Sequence, residues 1–386
     1  MSSHAVRGAG LRILHTADWQ IGKGFAFVDG DTGALLRERR IDMLADLAAL
    51  AAAHEVDLVL VAGDVFDAPT LSDRTLLRTC EQLAAFTVPV VLLPGNHDAA
   101  RSESIWTRLD ALAALPPCCI PALEATPLDL LDGRVTVLPA PLRRRREPDD
   151  LTAWFDQAPR EGNGFRIGLA HGTVRNRLPV EAEAHNPIAD DRADRAKLDY
   201  LALGDWHGTL QIAPRTWYAG TPETDGFRAN ASGQVLLVEL DAPGAEPRVR
   251  ALPTTRFRFR TLELELDGAL SIESLADRLE ALPEPGDTLL RLVLGGQLDL
   301  AGHAALEGLL ARWDARLRLL EVDAGALRTL ADAAELDGFA GDGFVADAAR
   351  RLLAETDSAD ASRAAAARDA LQLLYTEHQA LLGDDA

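Results

Sequence analysis

Five apolar runs, each ending in a turn that carries Asp, Asn or His, constrain this chain more than any other feature. The clearest is Val59-Leu60-Val61-Ala62, which enters Gly63-Asp64-Val65-Phe66-Asp67. Residues 11–15 lead to Asp18 and Gln20, and 88–93 to Gly95-Asn96-His97-Asp98. Residues 165–170 lead to His171, and 200–203 to Gly204-Asp205-Trp206-His207. Short apolar runs bounded by turn residues read as buried strands of a parallel sheet. Open α/β sheets bind their ligands beyond the carboxyl ends of such strands. Between the runs, apolar residues recur at helical period over about 34–54, 71–86 and 101–114. Strand and helix in alternation imply a sheet covered on both faces.

Buried structure alone does not call for polar residues at all five strand ends, so the five ends are read as one metal site. Asp, Asn and His offer oxygen and nitrogen to divalent ions. Asp64, at the centre, can bridge two ions, and two ions ~3.5–4 Å apart clamp a phosphoryl group and generate hydroxide at neutral pH. His97 is the candidate for stabilising the leaving oxygen, with Asp98 beside it to orient the ring or support its imidazolium form.

The length of 386 residues suggests two or three domains. Residues 1–10 are expected to be a disordered lead. An α/β domain is expected over 11–260, a small αβ unit over 261–340 and a helical tail over 341–386. Within 262–325 two strands (262–266, 289–294) alternate with helices near 271–282 and 301–313, and 249–261 is expected to be an extended crossing segment. No window is apolar enough to span a membrane and no signal peptide is visible at the start, so the expected address is cytoplasmic. Three cysteines fit neither a disulfide framework nor a zinc site. The net charge of −21 argues against indiscriminate nucleic-acid binding. From Thr261 onward, however, there are 25 acidic and 10 basic residues, so most of that charge lies late in the chain. The arginines gather earlier.

The motifs, in order, resemble those of the calcineurin-like metallophosphoesterases: D-x-H, G-D-x-x-D, G-N-H-[DE], a lone H and G-H-x-H. Here they stand as Asp18-Trp19-Gln20, Gly63 to Asp67, Gly95 to Asp98, His171, and Gly204 to His207. His15-Thr16-Ala17-Asp18 is similar to the opening of the SbcD-type DNA exonuclease subunits. The resemblance implies a four-layer α/β sandwich, a small αβ capping domain and a C-terminal helical segment. It implies one ion on Asp18, Gln20, Asp64 and His207, and another on Asp64, Asn96, His171 and Asp205. His97 with Asp98 would serve the leaving group. Gln20 and Asp205 stand where the family has histidines; each can still offer an oxygen, which favours Mn²⁺, or Mg²⁺, over Zn²⁺. The implied activity is a two-metal DNA phosphodiesterase, an exonuclease with potential endonuclease action, working with an SMC/ABC-type ATPase and associating as a homodimer. The alternatives are a small-substrate phosphodiesterase or phosphatase, and a catalytically weak scaffold of the same fold.

Plainer readings stand beside these. His54, His185, His303 and His378 match no motif and read as surface or core histidines. His15 and Asp67 read as supports for the ligand loops. Trp19 and Trp206 could stack on a base, or simply pack. Arg143, Arg144, Arg145 and Arg146 could contact DNA phosphates, as could Arg175, Arg177, Arg215 and Arg228, or they form a solvated face. Arg256, Arg258 and Arg260 would share one face of a strand. The apolar stripe of helix 361–382 could dock on its own domain or on a partner.

Overall fold

The computed structural model of the chain describes residues 10–28, 30–160, 162–177, 185–329, 343–356, 358 and 360–384. The expected disordered lead, apart from Gly10, lies outside the described residues, and so does the expected boundary at 340/341. The chain divides into two compact units, Met1–Phe257 and Arg258–Ala386.

In the first unit, the elements are β1 (Leu11–Thr16), α1 (Gly30–Ala53), β2 (Leu58–Val61), α2 (Asp73–Leu83), β3 (Val90–Leu92), α3 (Ile105–Ala111), β4 (Cys119–Pro121), β5 (Leu128–Leu130) and β6 (Val135–Ala140). A short 3₁₀ helix (Leu151–Asp156) precedes β7 (Phe165–His171), β8 (Thr173–Val174), β9 (Pro187–Ile188), α4 (Arg192–Arg195), β10 (Tyr200–Gly204), β11 (Leu210–Ala213), β12 (Thr216–Tyr218), β13 (Gln234–Leu240) and β14 (Arg248–Pro253). Two six-stranded mixed sheets result, in the orders β14-β13-β1-β2-β3-β4 and β11-β12-β10-β7-β6-β5.

The pattern of burial stacks these sheets. Alternate residues of β1, β2 and β3 (Leu11, Ile13, Leu58, Leu60, Val91) share a core with Val135, Val137, Phe165, Ile167 and Tyr200 of the other sheet. Their opposite faces (Leu14, Val59, Val61, Val90) meet Leu44, Leu47, Leu76 and Leu83 of α1 and α2. The outer face of the second sheet packs on Phe155 and Ala193. Helices thus cover both outer faces, the α/β arrangement that the alternation of patterns predicts. The short α2 begins at Ser72, whose side chain accepts from the Thr75 N–H, satisfying one of the open donors of a helix start.

The second unit holds β15 (Arg258–Leu266), α5 (Ala269–Glu280), β16 (Thr288–Leu298), α6 (Leu300–Asp314), β17 (Leu319–Thr329), α7 (Gly343–Thr356) and α8 (Ala361–Asp384). Its three strands form one parallel sheet in the order β15-β16-β17. The expected crossing segment 249–261 differs: it is the edge strand β14, paired antiparallel with β13, and the start of β15. Arg256 therefore precedes the strand that holds Arg258 and Arg260. In the helical tail, Ala364, Ala367 and Leu371 are buried, and Leu371 packs with Leu300, Ala346 and Ala349 of its own unit.

Candidate metal centre

Parallel neighbours end on one side of a sheet, so the loops after β1, β2 and β3 emerge together, as do those after β7 and β10. The two sheets then bring both groups of loops into contact. Asp18 N–H donates to Gly63 O (3.0 Å) and Gln20 N–H to Asp64 O (2.9 Å), which ties the first two loops. Asp18, Gln20 and Asp64 adopt left-handed φ of 51°, 44° and 51°. Such conformations cost an L-residue roughly 1–2 kcal/mol each, so the surroundings hold them there. Two glycines allow the close approach. A Cβ on Gly63 would lie 2.1 Å from His171 Nδ1, and one on Gly95 would lie 2.1 Å from Asp64 Oδ1.

Around Asp64 the lone pairs converge. His171 donates Nδ1–H to Ala62 O (2.8 Å), so its Nε2 carries the lone pair. That nitrogen faces Asn96 (2.9 Å), Asp64 Oδ1 (3.5 Å) and Asp205 Oδ1 (3.7 Å). Thr173 donates to the other oxygen of Asp205 at 3.0 Å and leaves Oδ1 turned inward. One ligand atom each from Asp18, Asp64 and His171 lies within 4.8 Å of the others. Facing acceptors repel unless a proton or a cation lies among them. Burial pushes the His171 imidazole down, but Asp64, Asp18 and Asp205 outweigh it and raise its pKa to about 9. Burial, reinforced by Asp64 and Asp205 and opposed by His207 and His171, lifts Asp18 to about 6. Asn96 meets the cluster with either end of its amide. Nitrogen inward, it donates to both Asp64 oxygens (3.1 and 3.0 Å) and to His171 Nε2 (2.9 Å). A cation among these groups selects the oxygen. The donor set, oxygens with one imidazole, suits a hard divalent ion such as Mn²⁺ or Mg²⁺.

Gln20 and His207 are arranged differently. Lys23 Nζ donates to Gln20 Oε1 at 2.8 Å, and an ammonium can only donate. The amide orientation follows: Gln20 Nε2 points to His207 Nε2 at 3.1 Å. His207 Nδ1 donates to Asp225 (3.0 Å), so Nε2 is the acceptor and the Gln20 amide caps it. Asp225 also binds Lys23 at 2.5 Å. The oxygen expected of Gln20 as a ligand is thus bonded to Lys23.

His97 lies at the edge of the cluster, 28% exposed, with Nε2 4.0 Å from Asp64 Oδ2. Its orientation comes from Asp67, whose carbonyl accepts Nδ1–H at 2.8 Å. Asp98 does not orient the His97 ring through a hydrogen bond. Its buried carboxylate accepts Gly95 N–H (2.6 Å) and Phe66 N–H (3.1 Å), joining the two loops that carry Asn96 and Asp64. A cleft of about 620 Å³ opens beside His97, lined in part by Asp67, Asn96, Arg101 and Arg145.

The sequence pattern of the family described as calcineurin-like phosphoesterase matches residues 11–209. The chain belongs to the calcineurin-like phosphoesterases. This family uses divalent metals, in keeping with the buried Asp18, Asp64 and His171. Among its relatives is a DNA double-strand break repair protein Mre11 of Aeropyrum pernix, 28% identical over 289 residues, which are 69% of this chain and 66% of that protein. An SbcCD nuclease subunit of Escherichia coli is 35% identical over 149 residues, 36% of this chain and 34% of that one. The Mre11 of Methanosarcina acetivorans is 26% identical over 298 residues, 71% of this chain and 44% of its own. This phosphoesterase therefore spans between about a third and two thirds of these relatives.

The remaining expected residues of this phosphoesterase fall outside the cluster. Trp19 is fully buried and donates to Thr16 Oγ1 at 2.9 Å, so no base can stack on it. Trp206 is half-buried against the core beyond the second sheet. Arg143 pairs with Glu124 (2.7 Å), Arg144 with Glu147 (2.8 Å) and Arg177 with Asp190 (3.4 Å), while Arg175 is exposed. Of the run 143–146, Arg145 is the member that lines the cleft. Lys23, Asp225, Thr173 and Arg101 are not legible as site residues in the sequence. Lys23 alone leaves a signal, a lone lysine in the glycine-containing loop after the first motif.

Proposed function

We propose that this chain is a metal-dependent phosphodiesterase that hydrolyses DNA, an exonuclease with endonuclease action, working as the nuclease component of an SbcCD-like complex. The observation that carries the reading is the convergence of Asp64, Asn96, His171 and Asp205 on one point, with His97 Nε2 beside it at the mouth of a cleft. Of the two ions that the resemblance implies, the reading rests on the one at these four residues, and the ligand chemistry favours Mn²⁺, then Mg²⁺. When bound, such an ion supplies an acidified water and positive charge for the phosphoryl oxygens.

The chain's own residues do the rest. The Asp67 carbonyl fixes the His97 ring through Nδ1, so the proton given to the departing sugar oxygen travels on Nε2. Arg101 and Arg145 contact backbone phosphates along the cleft. The second unit has the capping role, and its two last helices dock on an SMC/ABC-type ATPase. The Escherichia coli relative is named as one component of SbcCD, in keeping with such a partner. A homodimer and a cytoplasmic address complete the reading; among the described residues no helix is long and apolar enough to cross a membrane.

One observation favours a second reading, a catalytically weak scaffold: the bond between Lys23 and Gln20 Oε1. The two separate on purified chain supplied with Mn²⁺ and offered linear duplex, single-stranded DNA and a small aryl phosphodiester. DNA cleavage abolished by chelator, and slowed ~10²–10⁴-fold in His97→Ala, is the expected result. Hydrolysis of the small ester with all DNA left intact overturns the DNA reading, and no hydrolysis at all favours the scaffold.

A further inference from the structure

We propose that the ammonium of Lys23 replaces one of the two metal ions, so that this phosphoesterase holds a single divalent cation. The inference deepens the metal-dependent reading above and rests on it. The half-site at issue needs an oxygen from Gln20 and the Nε2 lone pair of His207. Neither is free. Lys23 holds the Gln20 oxygen at 2.8 Å, and the same amide turns its NH₂ onto His207 Nε2 at 3.1 Å. Reversing the amide to free the oxygen would set an NH₂ against an ammonium, donor against donor.

The lysine is built into the site rather than swung over it. Its N–H donates to Gln20 O at 3.1 Å, closing a turn through Gly22, whose φ of +91° a side chain would resist. Asp225 grips the ammonium at 2.5 Å and is itself bonded to His207 at 3.0 Å and faced by Arg40 at 3.8 Å. A fixed positive charge thus stands on the very oxygen a cation would need. A divalent ion there would meet like charge in a site of low dielectric. No such obstacle stands at Asp64, Asn96, His171 and Asp205.

Replacing the histidine of the family pattern by Gln makes this possible. A ring nitrogen could not accept from Lys23 while also serving a metal, whereas an amide carbonyl accepts from an ammonium readily.

Metal stoichiometry tests the inference without any turnover. Metal-stripped chain is equilibrated with excess Mn²⁺, and bound ion is counted by calorimetric titration and by elemental analysis after gel filtration. Electron paramagnetic resonance reports whether neighbouring ions are coupled. One uncoupled Mn²⁺ per chain is expected, lost in His171→Ala and kept in His207→Ala. The double variant Gln20→His, Lys23→Ala is expected to bind two coupled ions. Two ions in the unaltered chain, none at all, or loss in His207→Ala but not in His171→Ala overturns the inference. So does a double variant that keeps its native Tm and still binds one. The outcome is independent of the DNA assay: one ion without DNA cleavage sinks the proposed function alone, and two ions with cleavage sink this inference alone.

Discussion

His15 shows how a single buried ring can set the acid limit of the fold. Leu203 O can only accept, so His15 Nε2–H donates to it at 3.2 Å, and Nδ1 accepts the Tyr200 hydroxyl at 2.9 Å. The neutral ring bridges β1 to β10 across the sheets. Burial depresses its pKa from 6.5 to about 3, against a smaller opposing effect of the Leu203 carbonyl. Between those values the unfolded chain binds a proton that the folded chain refuses. The contribution of His15 is therefore complete above pH ~6.5 and is lost as pH falls toward 3, at up to about 1.4 kcal/mol per pH unit. His15→Gln keeps a donor and an acceptor but cannot titrate. Urea midpoints at pH 7.5 and 5.0 should show the unaltered chain losing about 2 kcal/mol more than the variant. Taking the difference between the two chains cancels groups such as Asp18 and His171 that titrate in both. Equal losses would mean that His15 is protonated in the fold.

At the scale of elements, the site depends on how closely the ends of β2 and β10 pass. A Cβ on Gly204 would lie 2.0 Å from the Ala62 carbonyl oxygen and 2.8 Å from Ala17 Cβ. Ala62 O is also the acceptor that orients His171. Gly204→Ala must therefore push backbone, not a flexible side chain. It should cost ~3 kcal/mol, the upper end of overpacking, and weaken Mn²⁺ binding, read by urea denaturation and metal titration. Gly286→Ala is the control: like Gly204 it has no left-handed φ, and a Cβ there meets nothing within 4 Å. If both substitutions behave alike, the close crossing is not what Gly204 serves.

Strands of this kind are the most legible part of the chain, because buried parallel strands are uninterrupted apolar runs and their ends carry the polar turns. β17 escapes such a reading since Leu319–Thr329 is exposed along much of its length and leaves no clean alternation. The contact set of Asp64 is legible because each motif lies beside its own strand. What Gln20 does is not, because Asp225, 202 residues beyond Lys23, decides it. Asp98 misleads for the opposite reason: sequence neighbours in a tight turn point apart, so adjacency to His97 says nothing of contact with it.

For the whole molecule, charge limits how DNA can be held. A chain of net charge −21, with 25 acidic and 10 basic residues from Thr261 onward, repels a polyanion at long range. Attraction must come from a few local contacts inside the ~10 Å over which 0.1 M salt screens charge. Three of the arginines suggested by sequence, Arg143, Arg144 and Arg177, are poor candidates, because each faces an acid and loses that partner to gain a phosphate. Arg101 and Arg145 line the cleft beside His97, and among the described residues neither is ion-paired. Each phosphate contact contributes about −0.9 to the slope of log K against log salt. Anisotropy titrations of labelled duplex with a His97→Ala chain, which keeps the substrate whole, should give a shallow slope near −2 if these two arginines carry the binding. Arg101→Gln with Arg145→Gln should flatten it by about 2 and weaken binding alike for every DNA sequence. A slope that stays unchanged in the double variant places the phosphate contacts elsewhere on the chain, and a steep slope in the unaltered protein means that many more cations face the DNA than this cleft provides.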